Sequence, residues 1–345
     1  MSDEGSSNHK KHVWSPSIKD IARMAKVSHS TVSRALQNSP LVKHKTGEKI
    51  RKIARESGYR PSAVARGLVT RKTRTIGLVV TTIADPFTSE VVSGIYQSAS
   101  ERGYSVFLAD SGADPEREER VVQSFAEQRV DGIVVTSSRV GNLYLPLLSE
   151  MRVPILLVND QHPGAFVHSV AIKNFAGMCL AANHLIELGH TRIAYIGDSS
   201  GYKTDEERLG GYRAAHEAAG IPLIEELIVR GDGKPAQGML AMEKLLPAHP
   251  TAVCCYNDRT ALGALRAIHS HGLRVPEDIS VVGFDDIFLA PYTEPPLTTV
   301  RQPMRKMGLL AMESLARLMS GEESEIRIEI EPELVLREST ARRTE

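Results

Sequence analysis

Two sets of polar side chains in this chain have the types and spacing to do chemistry. The first is Ser28, His29, Ser30, Thr31, Ser33 and Arg34, gathered in seven consecutive positions. Hydroxyl, imidazole and guanidinium groups so close together, within a basic stretch, suit the phosphates and groove edges of DNA. The second set is scattered. Thr81-Thr82, Asp110-Ser111, Ser137-Ser138, Asn159-Asp160, Asp198, Asn257-Asp258 and Asp285-Asp286 each follow an apolar run. Carboxylates, amides and hydroxyls at the same end of several strands both donate and accept hydrogen bonds. Such a lining suits a sugar, a nucleoside or a similar polar molecule.

Catalytic arrangements are weaker. Gly197-Asp198-Ser199-Ser200-Gly201 has the G-x-S-x-G form of a nucleophile elbow after an apolar run. That motif needs a helix straight after the serine, and YKTDEER reads as a polar loop. Asp285 and Asp286 are neighbours and point different ways, so one carboxylate is expected to meet ligand and the other to be structural. Neither a Walker-A nor a G-x-G-x-x-G run is present. His184 and His190 lack metal-ligand spacing and read as capping or surface residues. Cys179, Cys254 and Cys255 make neither a disulfide framework nor a CxxC knuckle and read as small thiols of a reduced protein. No metal, no cofactor and no enzymatic activity are expected.

The first set is positioned by helices. Ser17 is a good N-cap with Asp20 three residues on, an acidic variant of the capping box. Ile18, Ile21, Ala22 and Ala25 then form one apolar face. Lys26-Val27-Ser28 makes a turn, and Ser28 caps a second helix with Val32, Ala35 and Leu36 as its apolar side. Two helices joined so tightly cross steeply, which lets the second lie in a major groove. A third helix is expected from about Thr46, as cap, to Ser57, stopped by Gly58. Pro61 opens a further short helical segment to Leu68.

Charge divides the chain in two. Residues 1–74 hold 17 Lys+Arg against 5 Asp+Glu, and the remainder holds 25 against 37. A basic module joined to an acidic one is the pattern of a protein that touches nucleic acid with one part only. Residues 1–16 read as a disordered tail without an apolar signal core. No apolar run reaches the roughly 20 residues a membrane helix needs, so a cytoplasmic protein without membrane partners is expected.

From Arg74 onward apolar strands alternate with helical stretches: TIGLVV, YSVFLAD, GIVVTS, PILLVND, RIAYIGD, AVCCYND and ISVVGFDD. Continuous apolar runs between helices argue for buried parallel strands in βαβ units. Ligands bind at the carboxyl ends of such strands, where the second polar set lies.

AKVSHSTVSRAL, GYRPSAVARGL, TRTIGLVV, PLTTVRQP and the terminal REST together resemble the lac repressor (LacI/GalR) family of bacterial transcription regulators, over about residues 17–340. The resemblance implies an α/β chain of four parts. These are the tail, a helix-turn-helix domain at 17–60, a hinge helix and linker at 61–73, and a periplasmic-binding-protein-like, doubly wound effector and dimerisation domain at 74–345. Its N-subdomain would span about 74–168 and 300–331, and its C-subdomain about 169–299 and 332–340, with crossings near Ser169, Pro291–Thr299 and Pro332.

The resemblance also implies roles. His29, Ser30 and Arg34 would read bases, an arginine being suited to guanine O6 and N7. Thr31, Ser33, Thr46 and Lys49 would hold phosphates, and Ser17 and Ser28 would join the DNA surface. In the hinge, Ser62 and Ala65 would lie on DNA and Leu68 would wedge into the minor groove. Phe87, Ser137, Asn159, Arg208, Asn257 and Asp285 would contact a small-molecule effector. The partners implied are double-stranded operator DNA, that effector and a second copy of the chain as homodimer. Two departures from the family pattern stand out. Lys26 occupies a turn position that usually holds Gly, and Lys43 replaces the usual Ser cap of the third helix. The rival readings are a solute-binding transport protein and a hydrolase built on the GDSSG loop.

Overall fold

The computed structural model describes residues 16–59, 72–144, 153–161, 168–322 and 325–343. They fall into two compact units, residues 1–73 and 74–345.

The first unit holds α1 (Ile18–Ala25), α2 (His29–Leu36) and α3 (His44–Glu56). The Asp20 amide donates to Ser17 Oγ at 3.4 Å and the Ser17 amide donates to Asp20 Oδ2 at 3.0 Å, which closes the expected capping box. Ile21, Ala22, Ala25, Val32, Ala35 and Ile50 form the core of the unit. Lys26 ends α1 with φ 60° and ψ 44°. The turn does require the left-handed backbone, and a lysine adopts it at a steric cost that glycine lacks. The third helix corrects the expectation. It starts at His44 after Lys43, which makes no side-chain cap, so Thr46 lies inside the first turn and caps nothing. Arg51 Nη1 instead fastens α3 to the end of α2, donating to Ala35 O at 3.1 Å and Asn38 Oδ1 at 2.8 Å.

The second unit contains two six-stranded sheets. The first joins β1 (Thr75–Val80), β2 (Ser105–Asp110), β3 (Gly132–Thr136), β4 (Ile155–Val158), β5 (His168–Ile172) and β11 (Ile326–Ile330) in the order β11-β5-β4-β3-β1-β2, all parallel. The second joins β6 (Ile193–Asp198), β7 (Ile228–Gly231), β8 (Ala252–Cys255), β9 (Ser280–Asp285), β10 (Thr298–Arg301) and β12 (Glu333–Val335) in the order β12-β10-β9-β8-β6-β7. Only the short β10–β12 pairing in it is antiparallel.

The seven expected strands all form, but five more accompany them. β5, β7, β10, β11 and β12 are short or carry polar residues at alternate positions, so no continuous apolar run marked them. β2 is an edge strand and half-exposed rather than buried. The crossings move accordingly. β5 belongs to the first sheet, so the chain leaves at Lys173 rather than Ser169. β10 pairs with β9, so Pro291–Thr299 stays with the second sheet and the return comes at Gln302-Pro303. The last passage is at Glu331-Pro332.

Among the described residues the α-helices of this unit are α4 (Pro86–Glu101), α5 (Pro115–Glu127), α6 (Asn174–Glu187), α7 (Lys203–Ala218), α8 (Pro235–Leu245), α9 (Asp258–Ser270) and α10 (Met304–Ser320). Helix α10 comes from the returning chain and packs on α4. A Cβ at Gly308 would lie 2.1 Å from Val91 O, so glycine there allows the two backbones to meet. In both sheets the order in which successive strands are added reverses beside the first strand, between β1 and β3 and between β6 and β8. A crevice forms at such a point, outside the carboxyl ends of the strands.

Candidate functional site

The first unit presents the outward face that the sequence implied. His29, Ser30 and Arg34 are exposed, and Thr31 and Ser33 are half-buried. Ser28 caps α2: its Oγ accepts from the Thr31 amide at 3.2 Å and lies 2.8 Å from both Ser30 Oγ and Thr31 Oγ1. Lys49 Nζ reaches Ala25 O at 3.5 Å, so it braces the end of α1. Thr46 is half-buried. Ser62, Ala65 and Leu68 lie outside the described residues.

In the second unit a cavity of about 530 Å³ lies at the carboxyl ends of both sheets. All six residues implied by the resemblance line it: Phe87, Ser137, Asn159, Arg208, Asn257 and Asp285. Its volume falls within the range of roughly 300–1,000 Å³ usual for small-molecule sites.

Arg208 is the largest fully buried side chain among the described residues. It projects from α7 and is held on every side. Nε donates to Asn174 Oδ1 at 3.0 Å and Nη1 donates to the Tyr256 carbonyl. Its guanidinium carbon lies 3.7 Å from the Phe284 ring centre and 4.7 Å from that of Tyr256. Stacking on two rings stabilises a cation taken out of water. Nη2 lies 4.0 Å from Asp285 Oδ1. Asp285 accepts from Gln302 Nε2 at 2.6 Å. Burial pushes its carboxyl up to about 7, against the pull of Arg208 in the other direction. A buried donor and a buried acceptor so close together fit adjacent hydroxyls of a ligand.

On the cavity-lining residues two buried acceptors, Asn159 Oδ1 and Gln302 Oε1, and one buried donor, Arg139 Nε, have no hydrogen-bond partner among the described protein atoms. Buried polar atoms left unpaired in a protein call for a bonding partner from outside it. Ser137, Asn159 and Asp285 have φ of 51°, 54° and 125°. Left-handed backbone at non-glycine residues is uncommon and gathers at functional sites. Asn257 differs from the others. Its Oδ1 accepts from the Thr260 amide at 2.8 Å and its Nδ2 donates to Gly233 O at 3.1 Å, so it caps α9 while lining the cavity.

Sequence reasoning missed several lining residues: Asp85, Arg139, Gln161, Tyr202, Arg259 and Gln302. Gln302 follows β10, which was not recognised as a strand. Tyr202 sits in the stretch read as a polar loop. That reading is corrected: α7 begins at Lys203, because Asp205, Glu206 and the residues after them form helix. Asp85 was legible as the cap before Pro86, and it does cap α4 by accepting from the Phe87 amide at 3.0 Å.

Asp286 is structural, bonded to Arg301 Nε at 2.7 Å and to Arg337. His190 is buried between Thr251 and the Ala341 carbonyl, and His184 meets Thr340. His190 is buried and His184 half-buried, and both pin the final segment to the second sheet. The three cysteines are free. Among the described residues no group of three His, Cys, Asp or Glu could hold a metal ion, and no helix is long and apolar enough to cross a membrane.

Residues 17–62 match the model of bacterial regulatory proteins, lacI family, and residues 182–340 match a periplasmic binding protein-like domain. The HTH-type transcriptional repressor PurR of Aliivibrio fischeri (strain MJ11) is 38% identical over 332 residues, covering 94% of this chain and 98% of that protein. The lac repressor dimer bound to operator and the anti-inducer ONPF superposes with a TM-score of 0.86 at 30% identity, covering 95% of this chain and 100% of that one. A complex of the transcriptional regulator CelR with cellobiose has a TM-score of 0.71 at 36% identity, covering 94% and 99%. These relatives are regulators and not enzymes, which removes the hydrolase reading of Ser199. With a capped helix-turn-helix in one unit and two facing parallel sheets in the other, the chain belongs to the lacI family of bacterial regulatory proteins, as a DNA-binding transcriptional regulator.

Proposed function

We propose that this regulator is a repressor that binds operator DNA as a homodimer and changes its grip when a small polyhydroxyl effector enters the cavity. One observation carries the effector reading. Arg208, Asp285, Asn159 and Gln302 bring a buried cation, a buried carboxyl and two unpaired acceptors to one polar cavity. The cellobiose-bound and operator-bound relatives support the same assignment. His29, Ser30 and Arg34 read base edges, Thr31, Ser33, Thr46 and Lys49 bear on phosphates, and the segment with Ser62, Ala65 and Leu68 serves as hinge. Effector and operator affinities are then linked reciprocally, and a coupling of about 1–3 kcal/mol changes either one roughly 5- to 150-fold.

The test begins with selection of binding sites from a random duplex pool. A two-fold symmetric site is expected, with affinity falling steeply as salt rises. Arg34→Ala should lose about 1–3 kcal/mol of preference at one base pair of each half-site. Cellobiose, glucose and ribose are then titrated against the complex. A response that Asp285→Ala abolishes supports the reading. An unsymmetrical site, or a response that survives Asp285→Ala, refutes it.

A further inference from the structure

We propose that Asp85 and Arg259 are positioning residues of this cleft, whose ion pair, made from opposite halves of the second unit, holds the cleft closed. The regulatory meaning of the pair rests on the effector reading above; its effect on closure does not.

Arg259 Nη1 donates to Asp85 Oδ2 at 2.8 Å across 174 residues of sequence. Asp85 belongs to the half built on the first sheet, at the start of α4. Its other oxygen, Oδ1, accepts from the Phe87 amide, which fixes the carboxylate in place. Arg259 is the second residue of α9, in the half built on the second sheet. The cap of that helix, Asn257, fixes its start in turn. Both charges line the cavity and are only 21% and 24% exposed. A pair so anchored loses little side-chain freedom on forming and is screened less than one on the open surface.

The pair ties together the two helix starts that carry Phe87 and Asn257. It also sits within reach of the buried pair: the Asp85 charge pushes the Asp285 carboxyl up, and the Arg259 charge pulls it down. Closure has a second point of contact elsewhere. The Gln161 carbonyl accepts from the Lys203 amide at 3.3 Å, and Gln161 Oε1 accepts from Thr204 Oγ1 at 2.7 Å. Arg139 stacks on Tyr202 at 4.4 Å beside them. The first amide of a helix has no partner within the helix. Protection of the Lys203 amide therefore depends on the two halves being together, which makes it a reporter of closure.

Hydrogen exchange of the full chain without any ligand tests the proposal. Asp85→Asn keeps the cap on α4, since asparagine caps as well as aspartate, and removes only the charge. Arg259→Gln removes the other charge. Each is expected to speed exchange at Lys203 about fivefold, the factor for an ion pair at the upper end of the exposed range. The double variant should be no faster than either single one, and Arg259→Lys should restore most of the protection. The amides of β8 serve as the folding control and should not change. Unchanged exchange at Lys203, or effects that multiply in the double variant, overturns the proposal. Exchange that rises equally at Lys203 and in β8 overturns it too, because it reports loss of fold rather than opening. Failure here leaves the effector reading intact, and failure of the sugar titration leaves the closure device intact.

Discussion

Replacing Arg208 by glutamine should give a stability penalty that grows with pH. The substitution removes a fully buried guanidinium from Asn174, the Tyr256 carbonyl, two aromatic faces and Asp285. Breaking one side of such a buried charge arrangement typically costs about 3–5 kcal/mol. The part due to Asp285 has its own signature. In the native chain burial holds this carboxyl at about 7, with Arg208 as the largest influence keeping it from going higher. A carboxyl raised in the folded state favours folding most below its unfolded value, near 3.8, and that advantage is lost as pH rises to the folded value. In the native chain the loss levels off above pH 7, because Asp285 ionises. Without Arg208 the carboxyl stays protonated further up the scale, so the loss continues. Each pH unit is worth about 1.4 kcal/mol, so the penalty should be about 1.4 kcal/mol larger at pH 8 than at pH 6. Urea unfolding of the full chain at the two pH values measures it. The pH-dependent part should vanish when Arg208→Gln is combined with Asp285→Asn. Equal penalties at pH 6 and pH 8 would show that Arg208 does not set the ionisation of Asp285, and the reasoning would fail.

Other expectations concern the first unit. Lys26→Gly relieves a left-handed backbone at a non-glycine residue and should stabilise the helix-turn-helix by up to about 1 kcal/mol. A lower melting temperature for this variant would count against strain at the turn. Ser28→Ala removes the acceptor for the Thr31 amide and should cost about 0.5–2 kcal/mol. Thermal melting with and without operator separates this from any lost DNA contact, because a purely structural serine lowers stability without altering base preference.

How much was legible depended on the range of the interactions involved. Capping at Ser17 and Ser28 and the apolar faces of α1 and α2 depend on neighbours three or four residues away, so the sequence alone determined them. The same holds for the seven strongly apolar strands and the polar residues at their ends. Except for the half-exposed edge strand β2, their burial on both sides of a parallel sheet demands an unbroken apolar run. The misplaced start of α3 shows the limit: packing of Ile50 into the core holds a helix turn that has no side-chain cap. Strand β11 forms because β5, far back along the chain, offers it an edge, which no local pattern records. Arg208 and Asp285 could be named from motifs, but the depth of their burial could not. Nor could Gln302 as the partner of Asp285, or the Asp85–Arg259 pair across the cleft. Those features arise where two sheets face each other and the chain passes between them, so the distances that matter join residues up to 174 positions apart. Local sequence specified the elements and the chemistry they carry; only tertiary folding decided which of those groups meet, how dry the meeting place is, and which atoms remain unpaired for a ligand.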